Sequence, residues 1–353
     1  MAEPNIALVA GAGGIIGRAV VQHLAGTGWR VLALGRPGVQ GEEPAGVKRI
    51  GADLLDASAT RAAIAHAAPG VTHLFYAALA PRPSLADEAA ANGAMLANLL
   101  DALRAAGAPL RRVVLYQGAK VYGVHLGPVT APFYEDDPRH LPPNFYYAQE
   151  DMLRARAVTD GFTWSILRPD VVIGDAVGNP MNIAMVIGAY AALCRAENVP
   201  FRYPGGERGY RVLMQMTDGG LLAKASLWAA EAKEAAGEAF NLVNGDLFRW
   251  ERLWPRIGRA LGIEVGPPVP LTLARHMADK GPLWARLARE HGLVGPDYER
   301  LIGWGFGDFI FHTEFDVISD MNKARRHGFH GTADTEATLL DAVARLRARR
   351  IIP

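Results

Sequence analysis

The chain has 353 residues, 50% of them hydrophobic and 21% charged, which excludes a disordered chain and is long enough to bury a large core without disulfide or metal staples. Lys and Arg number 37 against 36 Asp and Glu, a formal net charge of +1. That balance gives no electrostatic reason to expect nucleic acid or an anionic membrane surface as a partner. Cys194 is the single cysteine. It cannot form an intrachain disulfide and lies in an apolar stretch, so it reads as core filler. With no signal-peptide pattern at the start, a reducing, cytoplasmic location is expected.

In chain order, Ile6–Ala10 reads as a short apolar strand that runs into a glycine turn and a helix over Ile15–Ala25. Strands follow at Arg30–Leu34, just before Asp53-Leu54, at Thr72–Ala77, at Arg111–Gln117 and at Thr163–Leu167. Helices are expected from about Asp87 to Ala106 and from about Tyr146 to Thr159. Strand and helix alternating at this spacing predict an α/β fold, a Rossmann-type doubly wound parallel sheet. Ligands of such sheets bind at the carboxyl ends of the strands. Beyond Arg168-Pro169 the pattern turns helical, over Met181–Arg195, Asp218–Ala232, Arg249–Leu261 and Thr335–Arg349, with one strand at Ala239–Val243. The expected organisation is a nucleotide-binding domain over residues 1–175. A smaller, mostly helical substrate-binding part over 176–353 follows, some of whose segments return to the sheet. The longest apolar run, Ile183 to Cys194, is about half the ~20 residues a membrane-spanning helix needs. Ser58 and Thr335 read as helix N-caps. His327 and His330 have no third ligand nearby, so no metal is expected.

Gly11-Ala-Gly13-Gly14-Ile15-Ile16-Gly17 follows a strand and opens a helix. Glycine there permits a tight turn, close approach of backbone to a pyrophosphate and close strand–helix packing, and the helix start offers free N–H groups. The spacing is G-x-x-G-x-x-G, which in this context points to dinucleotide binding rather than to a structural loop. The second strand ends Ala33-Leu34-Gly35-Arg36-Pro37 without a carboxylate. Arg36 suits a 2′-phosphate, so NADPH is the expected cofactor. Asp53 and Leu54 would sit at the adenine end, and Ala77, Gln117 and Val172 complete the expected cofactor set.

Reductases of this build usually carry Tyr-x-x-x-Lys on a helix, one turn apart, so that the ammonium favours the phenolate. Here Tyr147 is followed four residues on by Asp151, and Tyr146 by Glu150. The missing lysine has a candidate replacement in Lys120, in the loop Gly118-Ala-Lys120-Val-Tyr122 after the fifth strand.

That loop resembles a T-G-x-K-H-Y motif, and Asn144-Phe-Tyr-Tyr-Ala-Gln-Glu-Asp151 resembles an N-F-Y-Y-x-x-E-D motif. Both are carried by the progesterone 5β-reductase/iridoid synthase-like family of atypical extended short-chain dehydrogenases/reductases. The resemblance continues through Thr163–Pro169, Phe240–Asp246, Trp304–Asp308 and Ile351–Pro353, and covers essentially the whole chain. It implies NADPH-dependent 1,4-reduction of an α,β-unsaturated carbonyl, a small-molecule enone, with Tyr147 and Lys120 catalytic and Tyr146 a packing residue. It also implies a substrate pocket that includes Leu79, Tyr122 and Phe306. The chain departs from the family in having Val121 where the motif has His, and Leu79 where the motif has an aromatic ring. Two other readings fit parts of the pattern: a non-catalytic NADP(H)-binding sensor, and a sugar-nucleotide epimerase or dehydratase. A homodimer is the base-rate expectation for assembly.

Overall fold

Strands buried on both faces carry unbroken apolar runs, and the first half of the chain supplies six strands. They are β1 (Ile6–Ala10), β2 (Arg30–Gly35), β3 (Lys48–Gly51), β4 (His73–Tyr76), β5 (Arg112–Tyr116) and β6 (Thr163–Pro169). The computed structural model describes residues 5–38, 43–67, 70–174, 176–295 and 297–353. A seventh strand, Glu238–Leu242, comes from the second half and pairs with β6. The order across the sheet is Glu238–Leu242, β6, β5, β4, β1, β2, β3, with every pairing parallel. Chain direction across the sheet reverses at β1, which lies between β2 and β4. The crevice outside the carboxyl ends of β1 and β4 is therefore the expected ligand position.

The period of two along each strand divides the apolar residues between two cores. Val9, Ala33, Phe75, Val114 and Leu167 face α1 (Ile15–Ala25) and the helix Gly219–Glu231. Leu8, Leu32, Leu74, Val113 and Ile166 face α2 (Ala57–Ala67), α3 (Leu85–Ala105) and α4 (Phe145–Asp160). The caps differ from expectation at two helices. Asp56 Oδ1 accepts from Ala59 N at 2.9 Å, so Ser58 lies inside the first turn of α2. Asp334 Oδ1 accepts from Ala337 N at 2.7 Å, which makes Thr335 the first helical residue and leaves its hydroxyl to donate to Asp246. In both places an earlier carboxylate takes the capping role, and it also suits the positive helix end.

The second half packs a third core around α5 (Ile183–Ala196), whose residues Ile183 to Cys194 are all buried. A helix apolar on every side belongs at the centre of a packed layer. Trp250, Trp254, Phe201 and Phe311 surround it, and the Phe201 and Trp254 rings stack with centroids 4.2 Å apart. Cys194 sits in this core, where burial pushes its thiol up to about 11, an inert state at neutral pH. Five further helices, Leu273–His276, Gly281–His291, Tyr298–Leu301, Trp304–Phe311 and Asn322–Arg326, fill the stretch left unassigned by periodicity. Among the described residues no helix is long and apolar enough to cross a membrane.

Candidate active site

At the glycine turn the fold leaves no room for side chains. Gly11 has φ of +80°, and a Cβ there would stand 2.6 Å from the Ala77 carbonyl oxygen. A Cβ at Gly17 would stand 2.2 Å from the Gly11 oxygen. These two glycines let the turn nest between β1, β4 and α1. Gly13 has nothing within 4 Å of its Cβ position, so this part of the cradle is open. Gly14 caps α1 without a side chain, and the first turn of α1 carries no acid. A strand-end turn with an unblocked helix start fits an anionic pyrophosphate. Ile15 is buried and Ile16 half-buried, so what these two offer a phosphate is backbone N–H. Ala77 N donates to the Ala10 carbonyl and closes the floor between β1 and β4.

Arg36 lies exposed, one residue past β2. Asp53 is exposed as well, with Oδ1 accepting from Leu55 N at 3.0 Å. Leu54 is buried in the core beneath α2 and α3.

At the other end, β5 leaves the sheet at Tyr116 and passes through Gln117 and Gly118 into a short 3-10 turn, Ala119–Tyr122, that carries Lys120. The turn ends at Gly123, with φ of +84°. Asn144 caps α4 by accepting from Tyr146 N at 3.0 Å, and its Nδ2 donates to the Lys120 carbonyl at 3.0 Å. One side chain thus ties the lysine turn to the start of the tyrosine helix.

Consecutive residues on a helix point about 100° apart, so the Tyr146 and Tyr147 rings leave α4 in different directions. Tyr147 Oη donates to the Val121 carbonyl at 2.7 Å and accepts from His140 N at 3.0 Å. Its ring packs with Val121, Val124 and Phe133, and the Arg139 guanidinium lies 4.9 Å from the ring centre. The hydroxyl of Tyr147, the expected catalytic tyrosine, is thus engaged on both sides by backbone in this structure. Tyr146 takes the other direction. Its Oη lies 3.0 Å from the point a Cβ would occupy at Gly118, and the Pro169 oxygen lies 3.5 Å from that same point. The phenol therefore sits between the carboxyl ends of β5 and β6. Among the described residues, hydrogen bonds engage the Tyr146 backbone but not its hydroxyl. Burial raises the phenol well above its ordinary range, and the nearby Glu88 and Asp170 raise it further, so Tyr146 is a neutral donor at physiological pH. Burial also pushes the Asp170 carboxyl up to about 7, although the Val171 N–H partly offsets this.

A small cavity of about 10 Å³ at the start of α4 is lined by Leu85, Glu88, Lys120, His125, Pro143, Asn144 and Phe145. His125 escaped the sequence reading. Its Nδ1 is buried without a described hydrogen-bond partner, and burial, then Lys120 and His140, hold its ring neutral. A larger open depression of about 520 Å³ is lined by Glu207, Arg208, Arg211, Val212, Arg249 and Asp316, none of which belongs to the constellation above.

Tyr122 corrects an expectation. It is 3% exposed, its ring stacks on Phe133, and its hydroxyl donates to Asn241 and accepts from Arg168. It belongs to the floor beneath the site, not to the lining of a pocket. The Gln117 side chain is likewise turned into this floor. Leu79, in the loop after β4, is half-buried. Phe306 is half-buried against the α5 core, and Val172 pairs with Thr217 in a two-residue ladder.

The PRISE-like Rossmann-fold domain family matches residues 50–353. The chain belongs to that family. It is 35% identical to (S)-8-oxocitronellyl enol synthase of Camptotheca acuminata, over 99% of this chain and 93% of that one. It is 33% identical to 3-oxo-Delta(4,5)-steroid 5-beta-reductase of Arabidopsis thaliana, over the same shares. PRISE membership makes the protein an oxidoreductase of the short-chain dehydrogenase/reductase type, with a Rossmann fold built for a nucleotide cofactor. Among solved structures, it matches Thermus thermophilus UDP-glucose 4-epimerase in complex with NAD at a TM-score of 0.68 and 20% identity, over 97% of this chain and 99% of that one. An epimerase of Methanothermobacter thermautotrophicus matches at 0.72 and 16%, over 98% and 94%. At these identities the likeness concerns the fold alone.

Proposed function

We propose that this PRISE-like protein uses NADPH to reduce the carbon–carbon double bond of an α,β-unsaturated carbonyl compound, with Tyr146 donating a hydrogen bond to the carbonyl oxygen and Lys120 as the neighbouring cation. The observation that carries the catalytic assignment is the Tyr146 phenol, unengaged between the ends of β5 and β6, while the Tyr147 phenol is held by Val121 and His140. The steroid 5-beta-reductase and enol synthase names of the full-length relatives support this reaction class over a sensor or a sugar-nucleotide epimerase.

The glycine turn and the start of α1 would hold the pyrophosphate, and Arg36 the 2′-phosphate by charge-assisted hydrogen bonds. When bound, NADPH supplies a hydride to the β-carbon of the enone. Negative charge then builds on the carbonyl oxygen. A neutral phenol aimed at that oxygen interacts more strongly with the transition state than with the ground state, and so accelerates the step. Lys120, on the turn that Asn144 ties to the helix start, keeps the local potential positive. Water protonates the α-carbon afterwards. Leu79 in place of an aromatic ring widens the substrate side, to which residues 176–353 contribute Phe306. Steroid, monoterpenoid and small cyclic enones all fit this chemistry. The one buried cysteine fits a reducing, cytoplasmic setting.

The test is NADPH oxidation, followed by near-ultraviolet absorbance, with 2-cyclohexenone, progesterone and a linear monoterpenoid enal, NADH run in parallel. Oxidation that requires the enone and yields the saturated carbonyl is the expected result. Tight NADPH binding without oxidation by any of the three would favour the sensor reading instead.

A further inference from the structure

Three ionisable side chains from three segments line the small cavity at the start of α4. Glu88 comes from the first turn of α3, Lys120 from the 3-10 turn after β5, and His125 from the loop that follows that turn. The volume is about 10 Å³, room for one oxygen atom with its hydrogens and not for a ring. Leu85 and Phe145 give it apolar wall. The Asn144 side chain is already committed, to the Lys120 carbonyl and to Tyr146 N. The three ionisable groups are not. Glu88 is 8% exposed, and among the described residues its carboxylate enters no hydrogen bond or ion pair. A carboxylate that deep costs free energy unless something donates to it. Among the same residues the Lys120 ammonium has no acceptor within hydrogen-bond distance. His125 Nδ1 is buried without a partner, and its ring is held neutral by burial, then by Lys120 and His140.

What these groups can share follows from their hydrogen-bonding inventory. An ammonium only donates, a carboxylate only accepts, and a neutral imidazole nitrogen does one or the other. A methyl group in the cavity would leave all three unpaired. A carbonyl or carboxylate oxygen would satisfy Lys120 and leave Glu88 without a donor. An ammonium would satisfy Glu88 and be repelled by Lys120. A hydroxyl, with one proton and two lone pairs, answers all three. We propose that the cavity is a subsite for a hydroxyl group, which donates to the Glu88 carboxylate and accepts from the Lys120 ammonium and from His125 Nδ1–H. Lys120 is also the cation of the proposed reaction, so the subsite and the reacting centre share a side chain. The substrate class is therefore an enone that carries a hydroxyl substituent close to its carbonyl. This rests on the reading of the chain as an enone reductase, and on neither tyrosine.

The experiment compares 2-cyclohexenone with its 4-hydroxy and 6-hydroxy derivatives, in the full-length wild type and in Glu88→Leu and Glu88→Gln. The readout is the ratio of kcat/KM for the better hydroxy-enone to that for 2-cyclohexenone, with NADPH in excess. In the wild type the ratio should be about ten- to a hundredfold, the range of one hydrogen bond to a charged group. Glu88→Leu, which removes the acceptor, should bring it to about one. Glu88→Gln keeps the shape and loses the charge, and should lower it severalfold, so the test survives if Glu88→Leu folds poorly. A readout independent of turnover is the melting temperature of the NADP+-loaded protein with the saturated ketones. The matching hydroxycyclohexanone should raise it more than cyclohexanone does in the wild type, and by no more in Glu88→Leu. A wild-type ratio near one, or a ratio untouched by both Glu88 substitutions, overturns the subsite and makes the cavity a place for a water molecule only. Absence of turnover with every enone, with the melting-temperature difference present and lost in Glu88→Leu, overturns the proposed reaction and leaves the hydroxyl subsite standing.

Discussion

The two ends of the cleft are built by opposite means. At the expected phosphate end the structure works through side chains that are missing: Gly11 and Gly17 bring backbone to within distances that no Cβ could share, and what the turn offers a ligand is backbone N–H. At the tyrosine end it works through buried charge: Glu150, Arg168, Gln117, Tyr122 and Asn241 form one hydrogen-bonded floor. The first device is steric, so salt and pH should leave it alone while any added atom breaks it. The second tolerates shape changes better than loss of charge, because a buried ion pair that loses one partner leaves an uncompensated charge.

Arg168→Met and Gly17→Ala should show the largest effects. Arg168→Met removes the cation that bonds Gln117, Tyr122 and the Glu135 carbonyl, while Arg154 still pairs Glu150, and costs roughly 3 kcal/mol of stability, read from urea unfolding. A loss below 1 kcal/mol would mean that the floor is not held by charge. Gly17→Ala should cost about 3 kcal/mol or more, because the clash is with backbone and cannot be relieved by a rotamer. If it instead melts like the wild type, the steric description of the phosphate end fails.

His73 sharpens the contrast within the sheet. Burial, then Arg111 and Arg112, lower its imidazole to about 4, so this buried group is kept neutral where Glu150 is kept charged and paired. Its folded value lies below the unfolded value of 6.5, so the unfolded chain binds the proton more readily. Stability is therefore full above about 6.5 and falls as pH drops toward 4, by roughly 3 kcal/mol in total. Urea unfolding from pH 7 to pH 4 checks this, and His73→Gln should flatten the slope. A slope of equal steepness in that variant would assign the acid sensitivity elsewhere.

The smallest effect belongs to the exposed Arg36. Arg36→Ala should weaken NADPH about ten- to a hundredfold, as loss of a charge-assisted pair does, and leave NADH within about twofold. Equal losses for both cofactors would remove Arg36 from the phosphate site.

What was legible in the sequence was local. Apolar runs such as Leu8–Ala10 and Val113–Leu115 announce strands, and the spacing Gly11, Gly14, Gly17 announces the turn, because each signal lies within one element. The tyrosine assignment was not local. Tyr146 and Tyr147 sit side by side in the same motif, and what separates them is the loop Val121–His140 folding over the Tyr147 hydroxyl. The arginine ending the apolar strand Trp164-Ser-Ile-Leu-Arg168 was the available hint that a buried acid had to lie nearby. The five unassigned helices between Leu273 and Arg326 run from four to 11 residues. They are too short for a helical period to stand out, and ring contacts such as Trp284–Tyr298 and Tyr298–Trp304 help hold them.

The most direct measurement is turnover of Tyr146→Phe and Tyr147→Phe side by side, with NADPH and the best enone found for the wild type. If Tyr146 carries the developing charge, Tyr146→Phe loses about two to three orders of magnitude in kcat, the scale of removing one such donor, and still binds NADPH. Tyr147→Phe then keeps kcat within a few-fold and loses about 1 kcal/mol of stability through its hydrogen bonds to Val121 and His140. The reverse pattern, with activity lost in Tyr147→Phe and kept in Tyr146→Phe, would contradict the division of roles between these two neighbours.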